Sequence, residues 1–191
     1  YLWDIGCGFG QFVKVASSVD WIARGLEPSE YARKRTVANP LHIYPGSWGM
    51  SLSPTNTLSA IWLMEHLEAP GAFLDWSYNT LVAHGNMLLV VPNENTVAQR
   101  SANAIAAKKD WWIHPTHLNY WSQETFHALL DGHGFDIVDE LGTYPMEEFI
   151  LAGMDYTNNP TVGKEAHGMV EKAEMTQTRE HRLRVGRERA S

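Results

Sequence analysis

The stretch Tyr1-Leu2-Trp3-Asp4-Ile5-Gly6-Cys7-Gly8-Phe9-Gly10-Gln11 decides how the rest of the chain reads. Residues 1–5 form a short apolar run closed by glycines, which predicts a buried strand. Residues 11–18 place Phe12, Val13, Val15 and Ala16 as a short helix on a sheet would. A glycine loop between strand and helix is the setting of a nucleotide-type site. Glycines permit the tight turn and bare backbone contact, and the helix start offers unpaired N–H groups. The glycines fall at 6, 8 and 10, and position 11 is Gln11, so the dinucleotide pattern G-x-G-x-x-G is not met. No Gly-Lys-Ser/Thr follows, which excludes the P-loop pattern. Asp4 before the first glycine suits a ligand with a cationic group. Glu27, just after the second predicted strand, suits the two hydroxyls of a ribose.

Working outward, apolar runs alternate with helical patterns. Strands are predicted at 22–26, 41–44, 58–64, 87–91 and 135–141, besides the first. Helices are predicted from the Ser29 cap to about residue 37, over 72–82, and from the Ser122 cap to the Gly132-His133-Gly134 stop. This order predicts an α/β, Rossmann-like, doubly wound fold. Its sheet is mostly parallel, with six strands and a seventh left open, and helices lie on both faces. Residues 1–160 form the expected main domain, with an insert at 93–121. Residues 161–191 form a helical tail, with a polar helix at roughly 164–184.

The chain has 191 residues, and 44% of them are hydrophobic against 19% charged, which excludes a disordered chain. The longest uncharged apolar run, 87–91, is far too short to span a membrane. Residues 1–160 carry 8 basic against 17 acidic side chains, and residues 161–191 carry 7 against 5. An acidic body argues against a nucleic-acid partner. The mixed-sign tail reads as a solvated helix, with a homodimer contact, a lid or a cover for the sheet edge all open. Cys7 is the only cysteine, which excludes an internal disulfide and fits a reducing, cytoplasmic setting.

Four segments together carry a family resemblance. Residues 2–10 resemble the first motif of class I S-adenosylmethionine-dependent methyltransferases. Gly25-Leu26-Glu27-Pro28-Ser29 is similar to their second motif. Leu63-Met64-Glu65-His66-Leu67-Glu68-Ala69-Pro70 resembles the segment after the fourth strand in a small-molecule, ubiquinone-pathway-like subfamily. His117-Leu118-Asn119-Tyr120-Trp121-Ser122, with Gly134-Phe135 beyond it, resembles that subfamily's later pattern. The likeness spans about residues 1–141. It implies S-adenosyl-L-methionine as cofactor, with Gly6, Cys7, Gly8 and Gly10 forming the loop along its methionine part. Asp4 would help hold that end and Glu27 would bind the ribose. Pro28 would sit beside the adenine, with Ser47 and Trp48 on its other side, and Leu63 and Met64 would touch the cofactor. The resembled enzymes usually carry helices before this strand, so the chain is expected to be trimmed at both ends.

Methyl transfer from a sulfonium needs alignment of nucleophile, methyl and sulfur, and exclusion of water. A base is needed where the nucleophile carries a tightly held proton. The catalytic candidates are His66, His117 and His114. His66 suits a base at the rim or a ring that fixes the loop. The resemblance to quinone-ring methylating enzymes also allows it, with Glu65, to be a divalent-metal ligand. His114 and His117, spaced i, i+3 around a proline, are not a helical ligand pair, and structural and substrate-facing roles stay open for both. A zinc site is not expected, since no cysteine stands near; no residue is assigned as a metal ligand, and use of a divalent metal stays open. Trp111, Trp112, Tyr120 and Trp121 in the insert can wall an apolar pocket, and at least two are expected to serve packing. Residues 91–94, Val-Pro-Asn-Glu, lack the pattern of base-modifying enzymes. The expected activity is methylation of a small-molecule substrate, at oxygen first, with nitrogen and carbon open. The alternatives are an NAD(P)-binding oxidoreductase and a non-catalytic cofactor-binding scaffold.

Overall fold

The computed structural model describes residues 1–94 and 96–173 and divides the chain into two compact units. The first comprises residues 1–93 and 115–137. Its elements are β1 (Leu2–Ile5), α1 (Gln11–Ser17), β2 (Ala23–Glu27), α2 (Glu30–Arg33), β3 (Ile43–Pro45), β4 (Thr55–Ile61), α3 (Pro70–Thr80) and β5 (Leu81–Val90). α4 (Val97–Ile105) belongs to the second unit, and α5 (Gln123–Gly132) returns to the first.

The five strands are all parallel, in the order β3-β2-β1-β4-β5. Strand faces alternate along β1. Leu2 joins Val13, Ala16, Ala23, Ala38 and Ile43 in a core under α1, while Ile5 joins Leu26, Leu58, Ala60, Met64, Phe73, Leu74 and Leu130 under α3 and α5. Helices therefore cover both faces, as a parallel sheet requires. The strand order reverses between β1 and β4, so their carboxyl ends frame the crevice where such sheets bind ligands.

Local chemistry sets the element ends. Ser29 caps α2 by accepting from Ala32 N, but the helix stops at Arg33, well short of residue 37. Asn39 caps a 3-10 turn over Pro40–His42, which moves β3 to Ile43–Pro45. β4 starts earlier than predicted, at Thr55, and the 62–66 part of the predicted fourth strand turns instead. α3 opens on Pro70, whose missing N–H costs nothing at a helix start. β5 begins directly after α3. Its register against β4 jumps from Leu81 to Asn86, so residues 82–85 bulge out, with His84 at φ +61°. Ser122 and Thr125 form a capping box for α5.

The predicted sixth strand is a correction. Residues 135–141 pair with no described strand, so β5 is the edge and the described sheet has five strands. Phe135 packs on the core, but Val138 and Leu141 are 86% and 80% exposed. The alternation there gives one anchoring side chain and too little buried area to hold a ladder.

The second unit holds residues 94–114 and 138 onward. Its described elements are α4, capped by Thr96 and Gln99, α6 (Glu147–Leu151) and α7, over residues 160–173. Ala102, Ala106 and Ile150 form its core, with Trp111 and Tyr156 against it. Asp155 and Thr157 hold the turn after α4 by accepting from Ala107 N and Lys108 N. The predicted insert 93–121 thus contributes to both units. Residues 174–184 of the predicted tail helix, and the rest of the tail to residue 191, lie outside the described residues. No described helix is long and apolar enough to cross a membrane.

Candidate functional site

The glycine loop leaves β1 at the crevice. Gly6, Gly8 and Gly10 all sit in the left-handed region, at φ +70°, +54° and +75°. The space around them differs. A Cβ on Gly10 would meet Thr36 Oγ1 at 2.7 Å and Ala38 Cβ at 3.0 Å, so this glycine serves packing at the start of α1. A Cβ on Gly6 would meet Leu63 Cδ1 at 3.0 Å. A Cβ on Gly8 would meet nothing within 4 Å, so Gly8 presents bare backbone to open space. That is the face on which a ligand can lie.

Glu27, at the carboxyl end of β2, is buried and clamps this loop. Its Oε2 accepts from Gly8 N at 2.9 Å and its Oε1 accepts from Ser29 N at 2.7 Å. Arg33 braces the same corner by donating to the carbonyls of Glu27 and Pro28, both at 2.6 Å. Each Glu27 oxygen keeps a further lone pair, so the carboxylate can accept from a diol without releasing the loop. Pro28 is exposed beside it.

Asp4 is buried, and Ser59, its register partner on β4, donates to its Oδ1 at 2.8 Å. Burial pushes the Asp4 carboxyl up to about 6, and the Ser59 hydroxyl works against that rise. Sequence reasoning missed Ser59, which sits in an apolar run and carries no motif. Burial, helped by the negative charges of Asp4 and Glu27, pushes the Cys7 thiol up to about 12. The thiol therefore stays protonated at neutral pH and is a poor nucleophile. Cys7 fills the space that the missing side chain of Gly25 leaves open.

After β3, Ser47 is exposed, whereas the Trp48 ring meets Phe73 edge-on at 6.0 Å and packs on the core. After β4 the chain passes Trp62, whose φ of +55° is unusual for so bulky a side chain and whose N–H donates to Val90 O. Leu63 is half-buried beside Gly6, and Met64 is fully buried in the core. Met64–His66 then form a 3-10 turn.

That turn meets residues 116–119. His66 and His117 stack edge to face at 5.0 Å between ring centroids, and His117 lies 6.1 Å from Tyr120. Glu65, His66 and His117 offer ligand atoms all within 4.8 Å of one another. Glu65 is 1% exposed, its Oε1 is 4.0 Å from His66 Nε2, and its Oε2 has no hydrogen-bond partner among the described residues. A carboxyl group with two imidazoles can hold a proton or a divalent cation. The third histidine, His114, is exposed in the other unit. The four insert aromatics also divide. Trp111 meets Trp112 at 4.8 Å and Tyr156 at 6.3 Å in the second unit, while Trp121 packs against Phe126 at 5.5 Å in the first. A surface depression of about 330 Å³ lined by Tyr1, Trp21 and Asn56 opens at the amino ends of the strands, opposite the glycine loop, and holds none of these residues.

A search of curated proteins finds no match. Among solved structures, a SAM dependent methyltransferase from Archaeoglobus fulgidus is 18% identical, with a TM-score of 0.57 over 85% of this chain and 77% of that one. The cyclopropane synthase MmaA2 from Mycobacterium tuberculosis is 16% identical, with a TM-score of 0.57 over 89% and 72%. The mycolic acid cyclopropane synthase CmaA1, solved with SAH, is 15% identical, with a TM-score of 0.58 over 90% and 68%. At these identities the likeness is one of fold. A family model described as a methyltransferase domain matches residues 1–140, a span that takes in the whole sheet, the glycine loop and Glu27. The chain therefore belongs to the methyltransferase-domain family, an enzyme family.

Proposed function

We propose that this enzyme transfers the methyl group of S-adenosylmethionine to an oxygen of a small-molecule acceptor, and that His66 takes the acceptor's proton. The observation that carries the base assignment is the hydrogen bond between His66 Nδ1 and Thr116 O at 2.9 Å. A carbonyl only accepts, so Nδ1 carries the hydrogen, and in the neutral ring Nε2 is left with its lone pair. His66 is exposed at the carboxyl edge of β4, the edge that also carries the glycine loop. Gly6 and Gly8 line the methionine part of the cofactor in this reading, and Gly10, packed against Thr36 and Ala38, holds the end of the loop. Asp4 holds its cationic end, Glu27 binds the ribose, and Pro28 with the Ser47–Trp48 turn borders the adenine. Leu63 sits against the loop near the sulfonium. When bound, S-adenosylmethionine supplies a methyl group on positively charged sulfur. The chain's own task is then to orient the acceptor, keep water out and receive one proton at His66 Nε2.

The test is His66→Ala against a panel of phenols, carboxylic acids and amines. Turnover of the best acceptor should fall by about 10²–10⁴, the scale of general-base catalysis, with S-adenosylhomocysteine binding unchanged. Full turnover by the variant would overturn the base assignment. A panel methylated only at nitrogen or carbon would overturn the acceptor.

A second reading is favoured by the unpartnered, buried Oε2 of Glu65. Glu65, His66 and His117 would then hold a divalent cation that lowers the acceptor's hydroxyl pKa. Manganese binding to the wild-type chain, lost in Glu65→Gln, supports it. Turnover that survives exhaustive chelation removes it.

A further inference from the structure

The turn that carries His66 does not hold itself. Among the described residues, its short-range backbone hydrogen bonds are His66 N to Leu63 O at 3.0 Å and Leu67 N to Met64 O at 3.3 Å. A 3-10 turn of three residues leaves carbonyl lone pairs that its own segment does not fill. Those carbonyls are met from a stretch more than fifty residues away. Asn119 Nδ2 donates to Met64 O at 3.1 Å and to Leu67 O at 2.7 Å. Leu118 N and Asn119 N both donate to Glu65 O, at 2.7 and 3.1 Å. The same stretch presents Thr116 O to His66 Nδ1 and places His117 against the His66 ring.

We propose that Asn119 is a positioning residue for the reaction: its carboxamide clamps the Met64–Leu67 turn to residues 116–119 and so fixes the ring orientation and tautomer of His66. Both amide hydrogens are committed to the turn, one at each end of it. The backbone bonds from residues 118 and 119 fix the middle. With both ends and the middle tied, Thr116 O stands at a fixed place, where His66 meets it with Nδ1 at 2.9 Å. The clamp thus decides which nitrogen carries the hydrogen and which, on the Glu65 side, keeps its lone pair. The isosteric change Asn119→Asp would place one acceptor oxygen, in place of Nδ2, against two carbonyls, and Asn119→Ala would remove the donor from Leu67 O and leave Met64 O with the Leu67 N bond alone. Asn119→Ser, with a side chain too short to reach both, would keep one donor at most.

The inference rests on the reading of His66 as the base, but its test does not use turnover. The full 191-residue chain, labelled with ¹⁵N at histidine and saturated with S-adenosylhomocysteine, reports the His66 tautomer by NMR, with His66→Ala supplying the assignment. The wild type is expected to show one Nδ1–H tautomer with a protected Nδ1–H resonance. Asn119→Ala and Asn119→Asp are expected to lose that resonance and show mixed tautomers, with Asn119→Ser between. Should Asn119→Ala or Asn119→Asp fail to fold, the milder Asn119→Ser decides. An unchanged His66 tautomer in a folded variant, even one with a lowered Tm, overturns the clamp and leaves only a structural bond. A change of more than tenfold in the S-adenosylhomocysteine Kd also overturns it, because the effect would then run through the cofactor loop. If the tautomer moves as expected while His66→Ala keeps full turnover, the clamp stands and the base assignment fails.

Discussion

Replacing Glu27 with alanine separates two jobs that one carboxylate does here. Glu27 holds the loop through Gly8 N and Ser29 N, at 2.9 and 2.7 Å. In the proposed complex its remaining lone pairs also accept the two ribose hydroxyls. Hydrogen bonds to a charged group contribute about 1.5–3 kcal/mol each. Water replaces part of both sets in the variant. Gly8 is half-exposed, so its freed N–H can be hydrated. A net loss of about 1.5–3 kcal/mol in cofactor affinity follows, which is about 10- to 150-fold in Kd. Calorimetry with S-adenosylhomocysteine measures the total. The same titration with its 2′,3′-dideoxy analogue isolates the loop's share, because that ligand has no diol to lose. The penalty should shrink to a small fraction with the analogue. An equal penalty for both ligands would refute ribose binding and leave Glu27 as a loop clamp. No penalty for either would refute both roles.

Other expectations follow from the same geometry. Asp4 has a carboxyl pushed up to about 6 from 3.8, so the folded state holds its proton more tightly than the unfolded chain. Its contribution to stability is full below pH 3.8 and is lost as pH rises through 6. Asp4→Asn keeps the Ser59 bond without the charge, so urea unfolding should show it gaining about 3 kcal/mol on the wild type between pH 3.8 and 7. A pH-independent difference would show that Asp4 is not buried as described. Gly8→Ala and Gly10→Ala should part company. Gly10→Ala meets Thr36 and Ala38 and should lower stability by about 2–4 kcal/mol in thermal or urea unfolding. Gly8→Ala meets open space, so it should lose only the roughly 1–2 kcal/mol of left-handed strain while its cofactor Kd rises at least tenfold. Equal cofactor affinity in wild type and Gly8→Ala would mean the ligand does not lie on that face. Cys7 should resist alkylation by iodoacetamide at pH 7.5 in the folded protein, since its thiol is pushed up to about 12. Rapid labelling there would contradict the burial.

What was legible in the sequence has a common character: it is local. The glycine loop reads from seven consecutive residues because left-handed backbone at three alternate positions leaves glycine as the unstrained choice. The caps at Ser29 and Ser122 read for the same reason, since a hydroxyl and an N–H three residues on are neighbours in any helix start. Strand existence was legible from apolar runs, but strand ends were not. Residues 62–64 are as apolar as the strand before them, yet Trp62 turns left-handed and the chain leaves the sheet. Residues 135–141 show the reverse error. They have strand-like composition and no described partner, and a strand is defined by its neighbour, which no local pattern contains.

The sequence by itself determined the fold class, the order of motifs and the kind of chemistry: a donor loop after the first strand, an acid after the second, histidines after the fourth and in the insert. Only the tertiary structure decided which of these act together. His117 meets His66, whereas His114, three residues before His117, belongs to the other unit. Ser59 serves Asp4 because parallel register sets them side by side, and Asn119 serves a turn more than fifty residues away. Hydrogen bonds act over about 3 Å of space with no regard for distance along the chain, so pairings of this kind exist only once the sheet has brought its strands together.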